Sequence, residues 1–285
     1  AEIDPEHPVV QSMSAVYWSG GDEVVERTVY RPQYFDKIVA WGGGPAINNV
    51  IRYLGPGIQL VSFDPKSSVS MIGREVFTSD AVLADVAERV AADTCVFNQE
   101  ACLASRFVFL ETPRRDEARR FCAALLPRLG ADRMFGSAKA PLPPADIRDE
   151  IEVMGAMGDE LEVFGRFDGR GMVLLSEAPV DFHPANKISN VVMVSSLEDA
   201  VRYVNVATQT VGVYPYGRKA QLRDVLAGAG AQRVCRVGTA NGHVAGGPHD
   251  AMYPLARFVH WMGDDDILSG NFNAIADAAL PIGAG

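Results

Sequence analysis

The feature that most constrains the fold is an alternation of short apolar runs with stretches of helical period. The apolar runs at 37–41 and 58–63 flank a helix-like stretch that begins at Pro45. Proline in the first turn suits the start of a helix, because its missing N–H has no helical partner there. A strand, a short helix and a second strand at this spacing are typical of a parallel sheet, so the sequence predicts an α/β fold.

The same alternation continues through the rest of the chain. Val82, Val86 and Val90 recur every four residues and predict a helix after Ser79, and a second helix is predicted at 113–129. We expect further short strands around these helices. The remaining predictions are strands at 13–18, 96–98, 106–110, 162–167, 172–175, 190–194, 210–214 and 233–237, and helices that begin near Ser196 and that carry Leu222, Val225 and Leu226.

Composition and charge exclude several classes of protein. The formal net charge of -10 argues against a nucleic-acid partner and against an anionic membrane surface. No apolar run approaches the roughly 18 residues that a membrane-spanning helix needs, and the acidic opening is unlike a signal peptide. Four cysteines without a C-x-x-C pair predict neither a disulfide framework nor a zinc site, and no histidine spacing suggests a metal. We therefore expect a reduced, cytoplasmic protein.

Cys102 lies in the polar stretch 97–106, between two strand-like runs. A cysteine presented in such a loop is a candidate nucleophile, because amide donors or a positive charge nearby stabilise the reactive thiolate. A single free cysteine is also commonly a small buried apolar residue. The pattern alone leaves both interpretations open.

Two further segments carry residues suited to catalysis or cofactor binding. The glycine run 42–44 follows a predicted strand and precedes a predicted helix, where a phosphate or a nicotinamide ring can approach the backbone. The same run also suits a plain strand-to-helix turn. His249 lies on a predicted loop, where it is either a proton donor or a side chain hydrogen-bonded to Asp250.

Several segments together resemble one enzyme superfamily. The stretch 97–106 resembles the active-site segment of the aldehyde dehydrogenases, in which Asn-Gln precedes the nucleophilic Cys and a Ser-Arg pair follows. The segments 40–43, 62–66 and 247–250 resemble most closely the LuxC-type fatty acyl-CoA reductases of that superfamily. The resemblance covers roughly residues 8–262, and it implies an aldehyde dehydrogenase-like α/β fold.

The resemblance also implies a set of site residues. Gly20 and Gly21 resemble the first glycine turn after a Rossmann strand, and the implied cofactor is NADPH, with NADH as the alternative. The implied catalytic residues are Cys102, Asn98 and His249, and the implied cofactor-binding residues are Gly20, Gly21, Trp41, Gly42, Gly43 and Ser62.

The reaction that the resemblance implies is reduction of an acyl thioester. The Cys102 thiolate would attack a thioester of coenzyme A or of an acyl carrier, and the acyl-enzyme would accept hydride and release the aldehyde. The Cys102 backbone N–H would stabilise the oxyanion. Ser62 stands where aldehyde-oxidising members have the Glu that activates water, with Lys66 aligned on their conserved Lys. This favours reduction over the alternative, oxidation of free aldehydes.

The resemblance divides the chain into three parts. Residues 1–66 correspond to the C-terminal part of a dinucleotide-binding domain, residues 67–262 to an α/β catalytic domain, and residues 263–285 to a tail of uncertain structure. Family members carry a long segment before the position that matches Ala1, so we expect the chain to lack the N-terminal part. A third interpretation is therefore a non-catalytic or partner-dependent fragment, completed by another chain or within a homo-oligomer.

Overall fold

A computed structural model describes residues 2–158 and 161–263 of the 285-residue chain. These residues form two β-sheets. In the smaller sheet, β1 (Lys37–Trp41) and β2 (Gln59–Phe63) pair in parallel, as the strand–helix–strand spacing predicts.

The larger sheet is mostly parallel. Its described strands are β3 (Ser67–Ile72), β4 (Ser105–Glu111), β5 (Leu161–Gly165), β6 (Met172–Ser176), β7 (Ile188–Val194), β8 (Thr208–Tyr214) and β9 (Arg233–Arg236). Their spatial order is β5-β6-β7-β4-β3-β8-β9, and every neighbouring pair is parallel except β5 with β6. Strands β4, β7 and β8 are buried on both faces, which explains the run of four apolar or glycine residues in each, at 107–110, 191–194 and 211–214. This architecture confirms the predicted α/β class.

Helices cover both faces of the larger sheet. The described helices are α1 (Pro8–Gln11), α2 (Glu23–Val29), α3 (Gly44–Ile51), α4 (Asp80–Thr94), α5 (Arg115–Leu129), α6 (Ala145–Met157), α7 (Lys219–Ala229) and α8 (Pro254–Phe258). Helices α4 and α5 pack together on one face, and α7 packs on the other. Helix α6 packs beside the strands β5 and β6.

The two cores can be traced through a single strand. Val108 and Leu110 of β4 join the apolar cluster of α4 and α5, whereas Phe109 between them joins the cluster of α7. Successive side chains of a strand point to opposite faces, so each face of the sheet bears its own core. Phe121 and Leu125 of α5 are fully buried, as the helical period predicts.

The helix ends follow local chemistry. Helix α4 begins after Ser79, whose Oγ accepts a hydrogen bond from Val82 N at 3.2 Å. Helix α7 ends at Gly230, which has a φ of 111°. A Cβ at Gly230 would lie 2.6 Å from Val206 N, so this C-cap requires glycine both for its backbone angle and for the close approach.

Two of the predicted strands are absent. Residues 13–18 form an irregular segment, because no described strand lies beside them to complete the backbone hydrogen bonds. Residues 96–99 form a 3₁₀ turn with left-handed backbone at Phe97 and Asn98. These angles are incompatible with the extended conformation that the apolar residues suggested.

The helix predicted near Ser196 is shorter than the pattern indicates. Ser196 Oγ accepts a hydrogen bond from Asp199 N at 3.1 Å, so the predicted capping interaction forms. The structure that follows is a 3₁₀ turn, Asp199–Tyr203.

Three further observations concern the described part of the chain. Within it, no helix combines the length and the apolar character needed to cross a membrane, and no group of three His, Cys, Asp or Glu is placed to hold a metal ion. The four cysteines are free thiols. The predicted tail at 263–285 lies, beyond Gly263, outside the described residues.

Adjacent residues of α7 test the packing of this helix. Leu226 is fully buried, whereas Val225, which the pattern places on the same apolar face, is 50% exposed. We expect Leu226→Ala to lower the free energy of unfolding by about 2–5 kcal/mol, because it removes buried methyl groups and leaves a cavity. The control Val225→Ala should cost less than about 1 kcal/mol. Urea unfolding measures both, and equal losses would contradict this orientation of the helix.

Candidate active site

The loop that carries Cys102 lies at the N-terminal edge of the larger sheet, just before β4. Ser68 Oγ of β3 donates a hydrogen bond to Cys102 O at 2.8 Å and accepts one from Thr210 N of β8 at 3.1 Å. The three neighbouring strands β4, β3 and β8 therefore fix this loop together. The Cys102 side chain is partly exposed, while the other three cysteines are buried.

The segment before Cys102 has an unusual backbone. Phe97, Asn98 and Gln99 have φ values of 47°, 55° and 73°, so three successive non-glycine residues lie in the left-handed region. Such residues persist only where surrounding contacts hold them. Gln99 supplies one of these contacts, because its side chain is buried and its Nε2 donates to Ile188 O of β7 at 2.8 Å.

The predicted catalytic residue Asn98 contacts Ser137. Asn98 Nδ2 donates to Ser137 Oγ at 3.0 Å, and Asn98 Oδ1 accepts from Ser137 N at 3.0 Å. Among the described contacts, no hydrogen bond joins its side chain to Cys102. The structure therefore does not bring this amide to the thiol, and its catalytic role stays a prediction.

A buried guanidinium lies behind the cysteine loop. Arg106 Nη2 donates to Gln99 O at 2.7 Å, and its Nη1 donates to Pro184 O at 2.5 Å. Burial lowers the pKa of Arg106 to about 10, and the negative charge of a Cys102 thiolate opposes this shift. Arg106 therefore stays cationic near neutral pH, and a positive charge close to a thiol favours the thiolate.

Gln209 is a site residue that the sequence patterns did not indicate. It lies on β8 and is 3% exposed, and its Nε2 donates to Cys102 Sγ at 3.0 Å and to Asp250 Oδ1 at 2.9 Å. One amide thus joins the predicted nucleophile to the loop that follows β9. A signal was present in the sequence, since Thr208, Gln209 and Thr210 are three successive polar residues at the start of an otherwise apolar strand.

The loop that carries His249 ends in a tight turn. His249 N donates to Met252 O at 2.8 Å, and Met252 N donates to His249 O at 3.0 Å, so Asp250 and Ala251 form the tip. Both tip residues have positive φ, 47° and 60°, which glycine and asparagine adopt more readily. His249 Nδ1 lies 3.3 Å from Asp250 Oδ1, the oxygen that Gln209 also contacts.

Aromatic rings extend this group to the smaller sheet. The rings of His249 and Phe63 meet edge to face with centroids 5.4 Å apart, and Phe63 stacks on Trp41 with centroids 4.2 Å apart. Trp41 is 63% exposed. The structure therefore brings Cys102, His249 and Trp41 into one connected group, joined by the contacts of Gln209 and Phe63.

The glycines assigned to the cofactor lie near a separate cavity of about 580 Å³. Gly20 and Gly21 line this cavity together with residues of α3, namely Pro45, Ala46, Asn49 and Val50. A Cβ at Gly42, just before α3, would lie 2.9 Å from Ala46 Cβ, and Gly42 has a φ of 156°, so the turn favours glycine. Gly43 is the N-cap residue of α3. Because it has no side chain, the first N–H groups of the helix have no side-chain cap. Backbone donors without an intervening Cβ suit a dinucleotide.

A buried carboxylate lies in the same cavity. Glu26 accepts hydrogen bonds from Asn49 Nδ2 at 3.0 Å and from Gly21 N at 2.9 Å, and these bonds lower its pKa. An ionised carboxylate accepts hydrogen bonds, as a ribose hydroxyl would offer. Ser62 lies on β2 opposite Ala40. The next residue, Phe63, contacts the His249 ring, so the Ser62 side chain points to the opposite face of the smaller sheet.

The segment that leads from β9 towards His249 is anchored by Asp93. This carboxylate, at the end of α4, is buried and accepts hydrogen bonds from Gly238 N at 2.6 Å and from Ala240 N at 2.9 Å. Burial raises the pKa of Asp93 to about 6, although the two amide donors and the charge of Arg233 act in the opposite direction.

The chain is similar in sequence to one family of reductases. A family model described as acyl-CoA reductase (LuxC) matches residues 1–261. Long-chain acyl-protein thioester reductases from Vibrio harveyi and Photorhabdus luminescens are 28% identical over 273 residues and 30% identical over 271 residues. Each alignment covers 93% of this chain and 54% of the relative, so the chain spans about half the length of the curated relatives it matches.

Solved structures of aldehyde dehydrogenases share the fold. An NAD-dependent benzaldehyde dehydrogenase from Corynebacterium glutamicum matches with a TM-score of 0.55 and 16% identity, over 76% of this chain and 50% of that one. An indole-3-acetaldehyde dehydrogenase in complex with NAD+ matches with a TM-score of 0.56 and 13% identity, over 79% of this chain and 49% of that one. The expected aldehyde dehydrogenase-like fold is confirmed.

The buried carboxylate of Asp93 predicts a pH-dependent stability. Its folded pKa of about 6 lies above its ordinary value of 3.8. Its contribution to the free energy of unfolding is therefore complete below pH 3.8 and is lost as the pH rises through 6. Relative to Asp93→Asn, the wild-type free energy of unfolding should fall by about 2 kcal/mol between about pH 4 and pH 7. Urea unfolding of both proteins across this range measures the difference, and a difference that does not change with pH would contradict the assignment.

Proposed function

Because the chain belongs to the acyl-CoA reductase (LuxC) family, we propose that it is the nucleophile-bearing part of an acyl-thioester reductase. Its substrate is a long-chain acyl thioester of coenzyme A or of an acyl carrier, and its product is the aldehyde. The names of the curated relatives, long-chain acyl-protein thioester reductases, support this substrate class. The observation that carries the proposal is the partly exposed Cys102 thiol, to which Gln209 Nε2 donates at 3.0 Å.

The first step is attack of Cys102 on the thioester carbonyl. The sulfur forms a bond to the acyl carbon, the bond from that carbon to the donor sulfur breaks, and the donor leaves as its thiolate. The Cys102 backbone N–H stabilises the oxyanion of the tetrahedral species. His249, on the loop that contacts the same amide, supplies a proton to the leaving thiolate.

The two glycine turns support NADPH as the cofactor, with NADH as the alternative. When bound, it supplies the hydride that reduces the acyl group on the cysteine. Gly20, Gly21, Gly42 and Gly43 let the cofactor approach the backbone closely, because they carry no Cβ. Trp41, directly before the second turn, presents an exposed aromatic ring on the same side as the His249 contact.

A reductase must keep water from hydrolysing its acyl-enzyme. Ser62 supports this requirement, because a hydroxyl is a much weaker base than the glutamate that the oxidising relatives carry at the aligned position. The alternative function, oxidation of free aldehydes, predicts steady carboxylate production from an aldehyde with NAD, which the proposed reductase should lack.

A partner-dependent fragment is the second candidate. The smaller sheet has two described strands, which is marginal for a sheet on its own, and the chain spans about half the length of its relatives. We assign residues 1–66 to the C-terminal part of the dinucleotide-binding domain and residues 67–262 to the catalytic domain. Another chain, or a second copy of this one, would then complete the cofactor site. Titration of NADPH into this chain alone separates the two candidates, because tight binding would contradict an incomplete site.

The proposed nucleophile predicts the outcome of a direct acylation assay. Incubation with a long-chain acyl-CoA should add one acyl group to the wild-type chain and none to Cys102→Ala, because the bond to the acyl carbon forms at this sulfur. Intact-protein mass spectrometry measures the gain. The matched control is Cys235→Ala, which removes a buried thiol whose pKa is raised by burial and should leave acylation unchanged.

Acylation of Cys102→Ala to the wild-type level would contradict the assignment of the nucleophile. Loss of acylation in Cys235→Ala, with acylation retained in Cys102→Ala, would show that Cys235 and not Cys102 is the nucleophile.

A further inference from the structure

We propose that Gln209 is a catalytic residue of this site, whose single side-chain amide both stabilises the Cys102 thiolate and holds the loop that carries His249. This inference deepens the proposed function and rests on Cys102 being its nucleophile.

The geometry uses both protons of the amide. A primary amide nitrogen carries two N–H donors, and Gln209 Nε2 has two acceptors at hydrogen-bond distance, Cys102 Sγ at 3.0 Å and Asp250 Oδ1 at 2.9 Å. The reversed amide would place its carbonyl oxygen against the Asp250 carboxylate, which is repulsive. The carboxylate therefore fixes the orientation in which an N–H points at the sulfur.

The sheet fixes the position of the residue that carries this amide. Gln209 lies on β8 between Thr208, which pairs with Ser67 of β3, and Thr210, which pairs with Arg233 of β9, and its side chain is almost completely buried. A donor on a rigid strand needs no reorganisation when negative charge develops on the sulfur. The thiol-bearing loop is attached to the same strand through Ser68 Oγ, which accepts from Thr210 N.

The second acceptor lies at a strained position. Asp250 and Ala251 both have left-handed backbone angles although neither is glycine, so the turn requires contacts that hold it. The described contacts of this tip include the hydrogen bond from Gln209 to Asp250, the approach of His249 Nδ1 to Asp250 Oδ1 at 3.3 Å and the backbone pairing of His249 with Met252, and the Gln209 bond is the one that ties the tip to the sheet. Removal of the amide therefore loosens the loop that carries the proposed proton donor.

The amide also separates two anions. A Cys102 thiolate and the Asp250 carboxylate both contact Nε2, and without the two N–H groups they would face each other with only partial screening. Hydrogen bonds to ionised groups are stronger than those between neutral groups. Loss of the amide should therefore destabilise negative charge on the sulfur and slow every reaction that this sulfur undergoes as a nucleophile.

The test measures the reactivity of the Cys102 sulfur and the stability of the His249 loop separately. Gln209→Met keeps the length of the side chain and removes both donors, and Gln232→Met is the matched control, since Gln232 Nε2 donates to Val206 O away from the cysteine. The first readout is the rate at which iodoacetamide alkylates Cys102 near neutral pH, followed by peptide mass mapping. The second is amide hydrogen exchange at His249 and Met252.

We expect Gln209→Met to slow alkylation about threefold or more, because the N–H that stabilises negative charge on the sulfur is lost. Exchange at His249 and Met252 should rise about tenfold, as expected for the loss of one hydrogen bond to a carboxylate. The Gln232 variant should match the wild type in both readouts.

Asp250→Ala tests the same contact from outside the sheet, where the change cannot disturb the packing of β8. It should raise exchange in the loop, and its effect on alkylation should disappear in the Gln209→Met background. Fully additive effects, or an unchanged alkylation rate in Gln209→Met with only the exchange increased, would overturn the proposal. Neither readout requires a thioester or a nicotinamide, so failure of the proposed reductase activity would appear in the acylation assay and not here.

Discussion

The structure depends on the parallel pairing of β3 with both β4 and β8. This pairing places the start of three strands at one edge of the sheet, so the loop before β4 and the first residues of β8 become neighbours although they lie about a hundred positions apart in the chain. Ser68 makes the connection specific, because its hydroxyl contacts the backbone of both loop and strand. Both faces of the sheet are covered by the apolar faces of amphipathic helices, which keeps the strands from shifting.

The edge at Cys102 is polar where the rest of the sheet is apolar. Buried side chains with hydrogen-bonding groups begin several strands here, and Arg106 adds a buried positive charge. Burial of such groups costs free energy unless each finds a partner. At this edge some groups find partners in backbone carbonyls and in the cysteine loop, whereas Ser67 Oγ, Arg106 Nε and Gln209 Oε1 have none among the described contacts. The polar contacts that do form help to determine where the sulfur lies.

Much of the fold could be predicted from the sequence, because strands buried on both faces and amphipathic helices carry their own patterns. Strand β3 and helix α6 could not. In β3 the serines at 67, 68 and 70 interrupt the apolar pattern, although the contacts of the sheet bury most of the strand. Helix α6 follows Pro144 without a side-chain cap, so it has no start signal. The strand predicted at 13–18 failed for the opposite reason, since its composition is suitable but no described neighbour pairs with it.

The site was predictable only in part. The segment around Cys102 and the loop at 247–250 could be recognised by resemblance, but their junction could not, because the Gln209 contact with Asp250 joins positions 41 residues apart. Local sequence carries no signal for such a pairing. The direction of the Asn98 side chain likewise depends on Ser137, a residue of a different loop.

The stacking of Trp41 on Phe63 has a spectroscopic consequence. The indole is largely exposed on one side and lies against a phenyl ring on the other, and that ring also touches the imidazole of His249. Any movement of the late loop relative to the smaller sheet changes the surroundings of this ring system. The chain, which has three tryptophans, thus carries a native optical reporter at the junction of its two sheets.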